Sequence, residues 1–375
     1  MRIVVVVNSL QQGGAERAAI RLAEAFVHDG HEVTISTWSN DRDFYSLSEE
    51  ISRVNLGNFF HSKGLTLPII GSRFKRFGQL QNVWRFRRQL LRLNPDVVIC
   101  YEALVGSVMA VSLAFSKVPL IVSERVNPDP DVYLPHRIAQ ILRPKIYRRE
   151  AICSVQTQGF SYWVTKNWKV PAVVTPNHIP DSWIRQPKSF GDRKKKIVSI
   201  GRVEPQKGFD VLLSAWNKLG DTKDGWCLEI IGTQNNPDYL DHLLSGSHEN
   251  VIFSPPTHEV SELLDESMIF VSSSRFEGFP NVVLEALARG VPTIAGFSTD
   301  IVKDWDECGA LIGYEPEDSE ALANHLSNLM NSPETLEKLG IQGLNQAKNY
   351  TWDVIGRSWY IAIDQAIRQK KSKKR

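Results

Sequence analysis

The sequence predicts an α/β fold with two Rossmann-like domains and a cleft between them. The chain has 375 residues, which is too many for one ordinary hydrophobic core. Short apolar runs alternate with amphipathic stretches in both halves, as in parallel sheets covered by helices. Between the halves lies a stretch rich in proline and polar residues, 175–196. It predicts a linker rather than a further core element.

The first half begins with Arg2–Val7, an apolar run typical of a buried parallel strand. A glycine-rich loop follows, and then a helix that Gly30 ends. One face of that helix is apolar, and it carries Ala19, Leu22, Ala23 and Phe26. Further strands are predicted at 31–37, 97–101, 119–123 and 151–155. This βαβ repetition indicates a doubly wound parallel sheet.

The second half repeats the pattern, with strands predicted at 197–200, 227–231, 251–253, 268–272 and 292–295 and helices between them. The last stretch, 354–375, reads as a helix with a lysine-rich tail. We therefore expect an N-terminal domain at 1–185, a C-terminal domain at 186–353 and a terminal helix from 354.

Composition narrows the class of protein. The chain is 42% hydrophobic and 23% charged, and no apolar run approaches the ~20 residues of a membrane-spanning helix. The first strand is too short for the core of a signal peptide, so a cytoplasmic protein is expected. The four cysteines are widely separated and form no Cys-x-x-Cys pair, so no zinc or redox site is predicted. Cys100 ends an apolar run and is expected to be buried.

Charge is distributed unevenly along the chain. Residues 1–185 hold 23 Lys and Arg against 15 Asp and Glu, whereas the remainder is acidic. Between 51 and 95 there are nine basic residues and no acidic one. A surface of one sign on one half points to an anionic partner such as phosphate, nucleic acid or a membrane.

Three loops follow predicted strands, where ligands bind in open α/β sheets because helix N-termini offer unpaired N–H groups. In the first loop, Gly13 and Gly14 would let the backbone approach a ligand closely. The loop is not G-x-G-x-x-G, so a dinucleotide site and a nicotinamide-dependent reductase are weakly supported. A glycine-rich turn without a ligand stays an equal alternative.

The second loop, 201–208, contains Arg202 and Lys207. An Arg fork and a movable Lys charge suit a diphosphate. Two solvated loop cations remain the alternative.

The third loop leads into a helix with Pro280 expected at its first position and Gly290 at its end. Glu277 would lie in the loop and Glu285 just over one turn inside the helix. Carboxylates at two levels could accept vicinal hydroxyls of a sugar and of a ribose. The alternative is a surface acid followed by a helix-flank acid.

Taken together, four stretches resemble glycosyltransferase family 4, the retaining enzymes of the GT-B fold. They are GGAER, TPNHIP, GRVEPQKGFDVLLSAW and SSSRFEGFPNVVLEALARGVPTIA, and they follow one another in the family's order over essentially the whole chain. The two glutamates of the last stretch, with seven residues between them, are the specific signal. Gly-Gly alone is not.

The resemblance implies roles for individual residues. Glu285 would hold the ribose hydroxyls, and Glu277 the donor sugar. Arg202 and Lys207 would neutralise the leaving diphosphate, and Gly14, with Gly13, would approach it from the other domain. The donor sugar and phosphates would also contact Gly278, Phe279, Pro280 and Asn281.

The reaction implied is transfer on one face of the sugar. The leaving phosphate accepts the proton of the acceptor hydroxyl, so no protein base is assigned. The nucleotide sugar is a substrate, and no cofactor or metal is expected. The chain departs from the family at Glu124 and Arg125, where relatives often carry a histidine near the donor sugar. The Asp-Pro-Asp triplet 129–131 matches the D-x-D of metal-dependent transferases of another fold, but its proline-rich setting favours a turn.

A basic amphipathic helix is predicted in the acid-free segment. Arg85, Arg88 and Arg92 fall on one stripe, preceded by Arg73, Lys75 and Arg76. Next to the stripe runs an expected apolar arc of Leu80, Val83, Trp84, Phe86 and Leu90. A solvated helix face is the plain interpretation of this pattern.

The stretch SRFKRFGQL also resembles the basic helix of bacterial N-acetylgalactosaminyl transferases, which contacts the diphosphate of undecaprenyl-linked oligosaccharide acceptors. The expected partners are a UDP-sugar, an undecaprenyl-diphosphate-linked glycan and the anionic inner leaflet of the cytoplasmic membrane, where the protein would be peripheral. Nucleic acid is not expected. The donor sugar stays open among galactose, N-acetylgalactosamine, N-acetylglucosamine and GDP-mannose. The alternative function is a non-catalytic basic protein that binds membranes or polyanions.

Overall fold

The computed structural model describes residues 1–11, 13–38, 43–57, 73–126, 137–186, 189–246 and 248–372. Contacts divide the chain into two compact units. Unit 1 comprises residues 1–178 and 355–375, and unit 2 comprises residues 179–354. The boundary at 178/179 precedes the position suggested by the sequence, 185/186, by seven residues.

Unit 1 is built on a seven-stranded parallel sheet with the order β3-β2-β1-β4-β5-β6-β7. Its strands are β1 (Arg2–Val7), β2 (Glu32–Thr37), β3 (Ser52–Asn55), β4 (Val97–Tyr101), β5 (Leu120–Ser123), β6 (Ile152–Val155) and β7 (Ala172–Val174). Its helices include α1 (Gly14–His28), α2 (Arg73–Arg92), α3 (Ala103–Ser112), α4 (Arg137–Glu150), α5 (Gln158–Trp163) and a π-helix (Val164–Trp168). Buried apolar side chains point from both faces of the central strands, as expected for a sheet covered on both sides.

Unit 2 has a six-stranded parallel sheet with the order β10-β9-β8-β11-β12-β13. Its strands are β8 (Lys194–Ile200), β9 (Cys227–Ile231), β10 (Val251–Ser254), β11 (Ser267–Ser272), β12 (Thr293–Gly296) and β13 (Ile312–Tyr314). Its helices are α6 (Phe209–Lys218), α7 (Pro237–Leu244), α8 (Val260–Glu266), α9 (Asn281–Ala288), α10 (Asp300–Glu307), α11 (Ser319–Met330) and α12 (Pro333–Ala347). The last helix, α13 (Trp352–Ser372), lies almost wholly in the part of the chain assigned to unit 1. Short 3-10 turns occur at Asp181–Trp183, Phe190–Asp192, Pro205–Lys207, Gly220–Lys223 and Lys348–Tyr350.

The predicted α/β architecture is confirmed: two parallel sheets, each covered by helices, form two Rossmann-like domains. Cys100 is fully buried in the first core, as expected. Three strands, β3, β7 and β13, escaped the sequence analysis. They have only three or four residues and lie at sheet edges, where a short half-buried segment gives no long apolar run.

The charged run 193–196 does not belong to a linker, contrary to the sequence interpretation. Lys194 begins β8, and Arg193 is only 5% exposed. The Arg193 guanidinium donates hydrogen bonds to the carbonyl oxygens of Leu264, Ser267, Arg289 and Gly290 at 2.8–3.4 Å. Burial lowers the pKa of Arg193 to about 10. A buried cation is tolerated here because backbone dipoles replace its water.

Candidate functional site

In unit 2 the site residues follow two neighbouring strands at the point where strand order reverses. From β8 the chain proceeds outward to β9 and β10, whereas from β11 it proceeds the other way to β12 and β13. Ligands of open α/β sheets bind at such a switch point, beyond the carboxyl ends of the strands. The loop 201–208 follows β8, and the loop 273–280 follows β11. Both predicted loops therefore border one crevice.

Hydrogen bonds tie these two loops together. The Arg275 N–H donates to the carbonyl oxygen of Gln206 at 2.8 Å, and the Gln206 amide donates to that of Phe276 at 3.0 Å. The Ser273 hydroxyl donates to the carbonyl oxygen of Lys207 at 2.9 Å. Three bonds across the loops fix their relative position, which is how a site gains the precision that binding needs.

Gly208 is required by this arrangement for two reasons. Its φ of +62° lies in the left-handed region, which favours glycine. A Cβ built on it would lie 2.1 Å from the carbonyl oxygen of Ser273, which is backbone and cannot yield easily. The loops approach each other this closely only because residue 208 has no side chain.

Lys207 and Glu277 meet across the two loops. The Lys207 Nζ lies 2.5 Å from Glu277 Oε1, and the two side chains are 18% and 13% exposed. Arg202 is more open, at 53% exposed, and lies 3.5 Å from Glu204 and 3.4 Å from the Gln206 amide oxygen. Two cations and one carboxylate predicted from the sequence therefore belong to one surface, with Lys207 oriented and Arg202 accessible.

Arg275 supports this surface, and the sequence analysis gave it no role. Its guanidinium forms bidentate ion pairs with Asp210 and with Glu317. The hydrogen bonds that Arg275 donates to the Asp210 and Glu317 carboxylates raise the pKa of Arg275 above its usual range. The partners are 65 and 42 residues away, so no spacing pattern could have found them. Arg275 holds the loop that carries Glu277.

Helix α9 carries the second carboxylate. It begins at Asn281, with Pro280 preceding it rather than occupying its first position, and Gly290 beyond its end has a φ of +59°. Glu285 is fully buried on this helix. It lies just over one turn inside the helix and so is close to the dipole's positive end.

Between Glu277 and Glu285, several side chains are buried in the core of unit 2. The Phe279 ring packs edge-on against Trp305 at 5.8 Å and tilted against Tyr350 at 6.0 Å. Its side chain therefore anchors the loop in the core of unit 2. Gly278 and Pro280 are also buried. What this stretch can offer to a ligand is its backbone at the start of α9.

Unit 1 has its own switch point between β1 and β4. The loop with Gly13 and Gly14 follows β1, and α1 begins at Gly14. A Cβ on Gly13 would lie 2.0 Å from a carboxylate oxygen of Glu16. Glu102 follows β4 with a φ of 71°, a conformation rare for a residue with a side chain. Burial raises the pKa of Glu102 to about 7, and the charge of Glu16 adds to the rise.

Arg125, which follows the carboxyl end of β5, is surrounded by aromatic and polar side chains. Its guanidinium lies over the Tyr101 ring at 4.3 Å and 5.8 Å from the centre of the Trp359 ring. It donates a hydrogen bond to the Asn177 side-chain oxygen at 2.5 Å. Burial lowers the pKa of the neighbouring His178 to about 3, with the charges of Arg21 and Arg125 adding to this. Near neutral pH the group thus pairs a fixed cation with a neutral imidazole.

The Glu124 carboxylate faces Arg143 of α4 rather than the surroundings of Arg125. Glu124 is 2% exposed, and Arg143 of α4 lies 3.5 Å from its carboxylate. Burial raises the pKa of Glu124, while the charge of Arg143 opposes the rise. Arg143 in turn stacks on Trp168 at 4.4 Å. This placement favours a structural role for Glu124 and leaves Arg125 as the ligand-facing candidate of the pair.

The basic helix α2 is only partly as predicted. Arg85, Arg88 and Arg92 are exposed, and Phe86 and Leu90 are fully buried. Trp84, expected in the apolar arc, is instead 62% exposed because it projects from the side opposite Phe86. The side chains of Arg73, Lys75 and Arg76 lie outside the described residues, as does the Asp-Pro-Asp triplet 129–131.

The described residues contain neither a metal-binding cluster nor a membrane-spanning helix. Within the described ranges, no three His, Cys, Asp or Glu side chains converge so that they could hold a metal ion. No helix in the described part of the chain is long and apolar enough to cross a bilayer.

Comparison with protein families identifies the class. Residues 13–178 match the glycosyl transferase 4-like domain, and residues 182–346 match the glycosyl transferases group 1 family. Together the two matches span most of unit 1 and unit 2. The chain is therefore a glycosyltransferase of the GT-B fold, with one characteristic domain in each half. A non-catalytic binding protein is not favoured by these matches.

Individual relatives agree with this class. The chain is 26% identical over 370 residues to an N-acetylgalactosaminyltransferase of Campylobacter jejuni that is named for a diNAcBac-PP-undecaprenol-linked acceptor, covering 96% of this chain and 97% of the relative. It is 22% identical over 372 residues to the amylovoran biosynthesis glycosyltransferase AmsD of Erwinia amylovora, covering 96% and 98%. These relatives act in bacterial polysaccharide and lipid-linked glycan synthesis.

A solved structure shares the fold. The UDP complex of Anabaena Alr3699/HepE superposes with a TM-score of 0.79 at 15% sequence identity, covering 97% of this chain and 100% of that one. Similarity of this kind extends over both units, which confirms the two-domain GT-B architecture.

Proposed function

We propose that this glycosyltransferase moves a hexose or N-acetylhexosamine, with retention of anomeric configuration, from a UDP-sugar to an undecaprenyl-diphosphate-linked glycan. The product would enter bacterial surface polysaccharide or a glycoprotein glycan. One observation carries the proposal: Lys207 and Glu277 meet at the switch point of unit 2, beside the accessible Arg202. The name of the Campylobacter relative supports the lipid-linked acceptor, and the UDP complex of HepE supports the nucleotide.

The donor roles follow from residue chemistry. A carboxylate accepts two hydrogen bonds from a vicinal diol, so Glu285 holds the ribose hydroxyls and Glu277 the hydroxyls of the donor sugar. The backbone at the start of α9, from Gly278 to Asn281, receives the phosphates. Arg202 and Lys207 neutralise the diphosphate. We propose that the backbone at Gly13 and Gly14 and the cation of Arg125 also bind the donor.

The reaction requires fixed positive charge near the leaving diphosphate rather than a protein nucleophile. The bond between the sugar carbon and the diphosphate oxygen breaks, leaving an oxocarbenium-like sugar and an additional negative charge on the diphosphate. The acceptor hydroxyl attacks from the same face, and its proton passes to the leaving phosphate oxygen. Arg202 and Lys207 stabilise the charge that develops there, which is usually the largest contribution to catalysis. We propose that these cations make the reaction independent of a metal.

The acceptor would be met by unit 1. The exposed cations Arg85, Arg88 and Arg92 of α2 suit the diphosphate of the lipid-linked glycan, and we propose that Arg73, Lys75 and Arg76 at the start of the same helix act with them. Because the acceptor's lipid is embedded in a bilayer, we propose that the protein works as a peripheral enzyme on the inner face of the cytoplasmic membrane.

The test is to identify the product. The protein is incubated with an α-linked UDP-sugar and undecaprenyl-diphosphate-linked glycan, with and without EDTA, and the new linkage is assigned by NMR. We expect an α-linkage and an unchanged rate in EDTA. Glu277→Gln should lower the rate about a hundredfold or more. Glu320→Gln is the matched control, since that glutamate also pairs with a lysine, Lys218 at 2.9 Å, but is exposed. A β-linked product, or a rate abolished by EDTA, would refute the proposed mechanism.

A further inference from the structure

Five helical segments, α2 to α5 and the π-helix, cover the same face of the unit 1 sheet. One continuous core contains Phe86 of α2, Met109 of α3, Tyr147 of α4 and Phe160 of α5, together with Val164 of the π-helix. The inward sides of these helices are therefore buried against the sheet. Their solvent-facing sides, with the α3–β5 loop, form one surface, here called the outer helical surface.

Large aromatic side chains project from the outer helical surface. Trp84 is 62% exposed, Phe115 is 80% exposed and Tyr162 is 67% exposed. Each ring has a cation over it, at distances of 5.6 Å for Arg88 on Trp84, 4.7 Å for Arg149 on Phe115 and 5.3 Å for Lys166 on Tyr162. Single exposed apolar residues are ordinary on soluble proteins. Three aromatic–cation pairs on one surface are a pattern that calls for a partner.

Phe115 is held outward by the structure of its loop. Its φ of 60° is unusual for a bulky residue and costs free energy unless neighbouring contacts impose it. Arg87 of α2 supplies such contacts by donating to the carbonyl oxygens of Ser112 at 2.9 Å and Ala114 at 2.7 Å. The loop is thus tied to α2, and it presents an aromatic ring to solvent.

The charge of the outer helical surface has one sign. Among the described side chains of these helices the single carboxylate is Glu150, which is buried and bonded to Lys370 at 2.7 Å. Exposed cations occur on all the segments except α3 and α5, namely Arg85, Arg88, Arg92, Lys145, Arg148, Arg149 and Lys166. An extended anionic partner would meet no exposed carboxylate on these helices.

We propose that the outer helical surface binds an anionic lipid bilayer, with Phe115, Trp84 and Tyr162 at the level of the headgroups and the exposed cations of α4 and of the π-helix on the lipid phosphates. Amphipathic aromatics and long basic side chains together suit the membrane interface. Cations close to an anionic leaflet strengthen the attachment of a protein to it. Single-stranded nucleic acids prefer a charged groove lined by aromatics, whereas these rings lie on the outward sides of helices. The proposal rests on the proposed function, since a lipid-linked acceptor brings the enzyme to a bilayer.

The experiment measures vesicle binding apart from catalysis. The full chain is sedimented with vesicles of phosphatidylcholine alone and of phosphatidylcholine mixed with phosphatidylglycerol. We expect binding to the anionic vesicles only, weakened by salt. The double variant Phe115→Ser, Trp84→Ser should bind about tenfold less tightly, which corresponds to about 1.4 kcal/mol. Ile252→Ser with Ile341→Ser is the matched control, since these unit 2 residues are 51% and 46% exposed.

A second readout separates this inference from the proposed function. Transfer to a short-chain, water-soluble acceptor is measured with the same proteins, and the aromatic variant should keep the wild-type rate. Vesicle binding equal in wild type and aromatic variant, or displaced by single-stranded RNA without any dependence on the aromatics, would overturn the inference. Vesicle binding as expected from a protein that transfers no sugar would instead overturn the proposed function and leave the membrane surface standing.

Discussion

The Lys207–Glu277 contact is the residue-scale feature on which the proposed function rests. A lysine and a carboxylate held at 2.5 Å, both largely shielded from water, fix each other's orientation. A solvated pair would contribute little, because water screens it. The two residues are 70 positions apart. Each could be nominated from its motif, but their meeting could not be deduced from spacing.

Lys207→Met tests the role of this cation. We expect kcat for sugar transfer to fall about a hundredfold or more, because charge developing on the diphosphate loses a fixed partner. Steady-state kinetics on the folded fraction supply the measurement. Lys218→Met is the control, since Lys218 also pairs with a glutamate but lies on the outer side of α6 at 40% exposed. Equal losses in both variants would contradict the assignment.

His178 provides a test that depends on pH rather than on activity. Its pKa is about 3 in the folded protein and 6.5 without perturbation, because burial and the charges of Arg21 and Arg125 disfavour its protonation. The unfolded chain therefore binds an additional proton below pH 6.5, so this residue's contribution to stability is complete above that pH and is lost as the pH falls towards 3.

We expect His178→Gln to remove this dependence. Between about pH 7.5 and about pH 5, wild type should lose about 2 kcal/mol more unfolding free energy than the variant. Urea denaturation at both pH values measures the difference, and His28→Gln, at a histidine 84% exposed, is the control. If the two variants change with pH in the same way, the buried neutral histidine is disproved.

At the scale of elements, the close approach of the loops 201–208 and 273–280 requires a glycine at position 208. Gly208 and Gly220 both have positive φ, +62° and +53°, but a Cβ on Gly220 would meet nothing within 4 Å. A Cβ on Gly208 would meet the Ser273 carbonyl at 2.1 Å. The sequence alone shows two glycines near helix ends and cannot distinguish them.

Alanine at each glycine separates backbone strain from crowding. Gly220→Ala should cost about 1–2 kcal/mol from the left-handed conformation alone. Gly208→Ala should cost more and should also impair transfer, because the Ser273 loop must move away from Lys207. Denaturation curves and turnover on the same samples measure both. Similar effects on stability, with no effect of Gly208→Ala on turnover, would show that the loop contact is unimportant for the site.

The elements also show where sequence reasoning succeeds and fails. The buried strands β1, β4 and β11 were predicted almost to the residue because continuous apolar runs leave few alternatives, whereas β8 begins three residues before its predicted start. Arg193 was assigned to a linker because its four carbonyl acceptors come from distant parts of the chain. Trp84 was assigned to an apolar arc because helical periodicity shows which residues share a side of the helix. It does not show which side a neighbouring helix covers.

At the scale of the whole molecule, the strand order determines which loops are neighbours, and sequence motifs do not reveal this. Order β9-β8-β11-β12 makes the loops after β8 and β11 neighbours, and order β2-β1-β4-β5 does the same for the loops with Gly13 and Glu102. Parallel sheets are joined by long-range pairings that local patterns do not encode. The loops after β8 and β11 could therefore be recognised as one candidate site only from the strand order of unit 2.

The most direct test of the account is donor turnover. Nucleotide release is measured over a panel of UDP- and GDP-sugars, with and without undecaprenyl-linked glycan, for wild type and Glu285→Gln. The account predicts release from one UDP-sugar that requires the lipid-linked acceptor and falls at least a hundredfold in the variant. Release from no donor, with no thermal stabilisation by UDP or GDP, would contradict the claim that the crevice bordered by Lys207 and Glu277, with Glu285 on α9, is a working donor site.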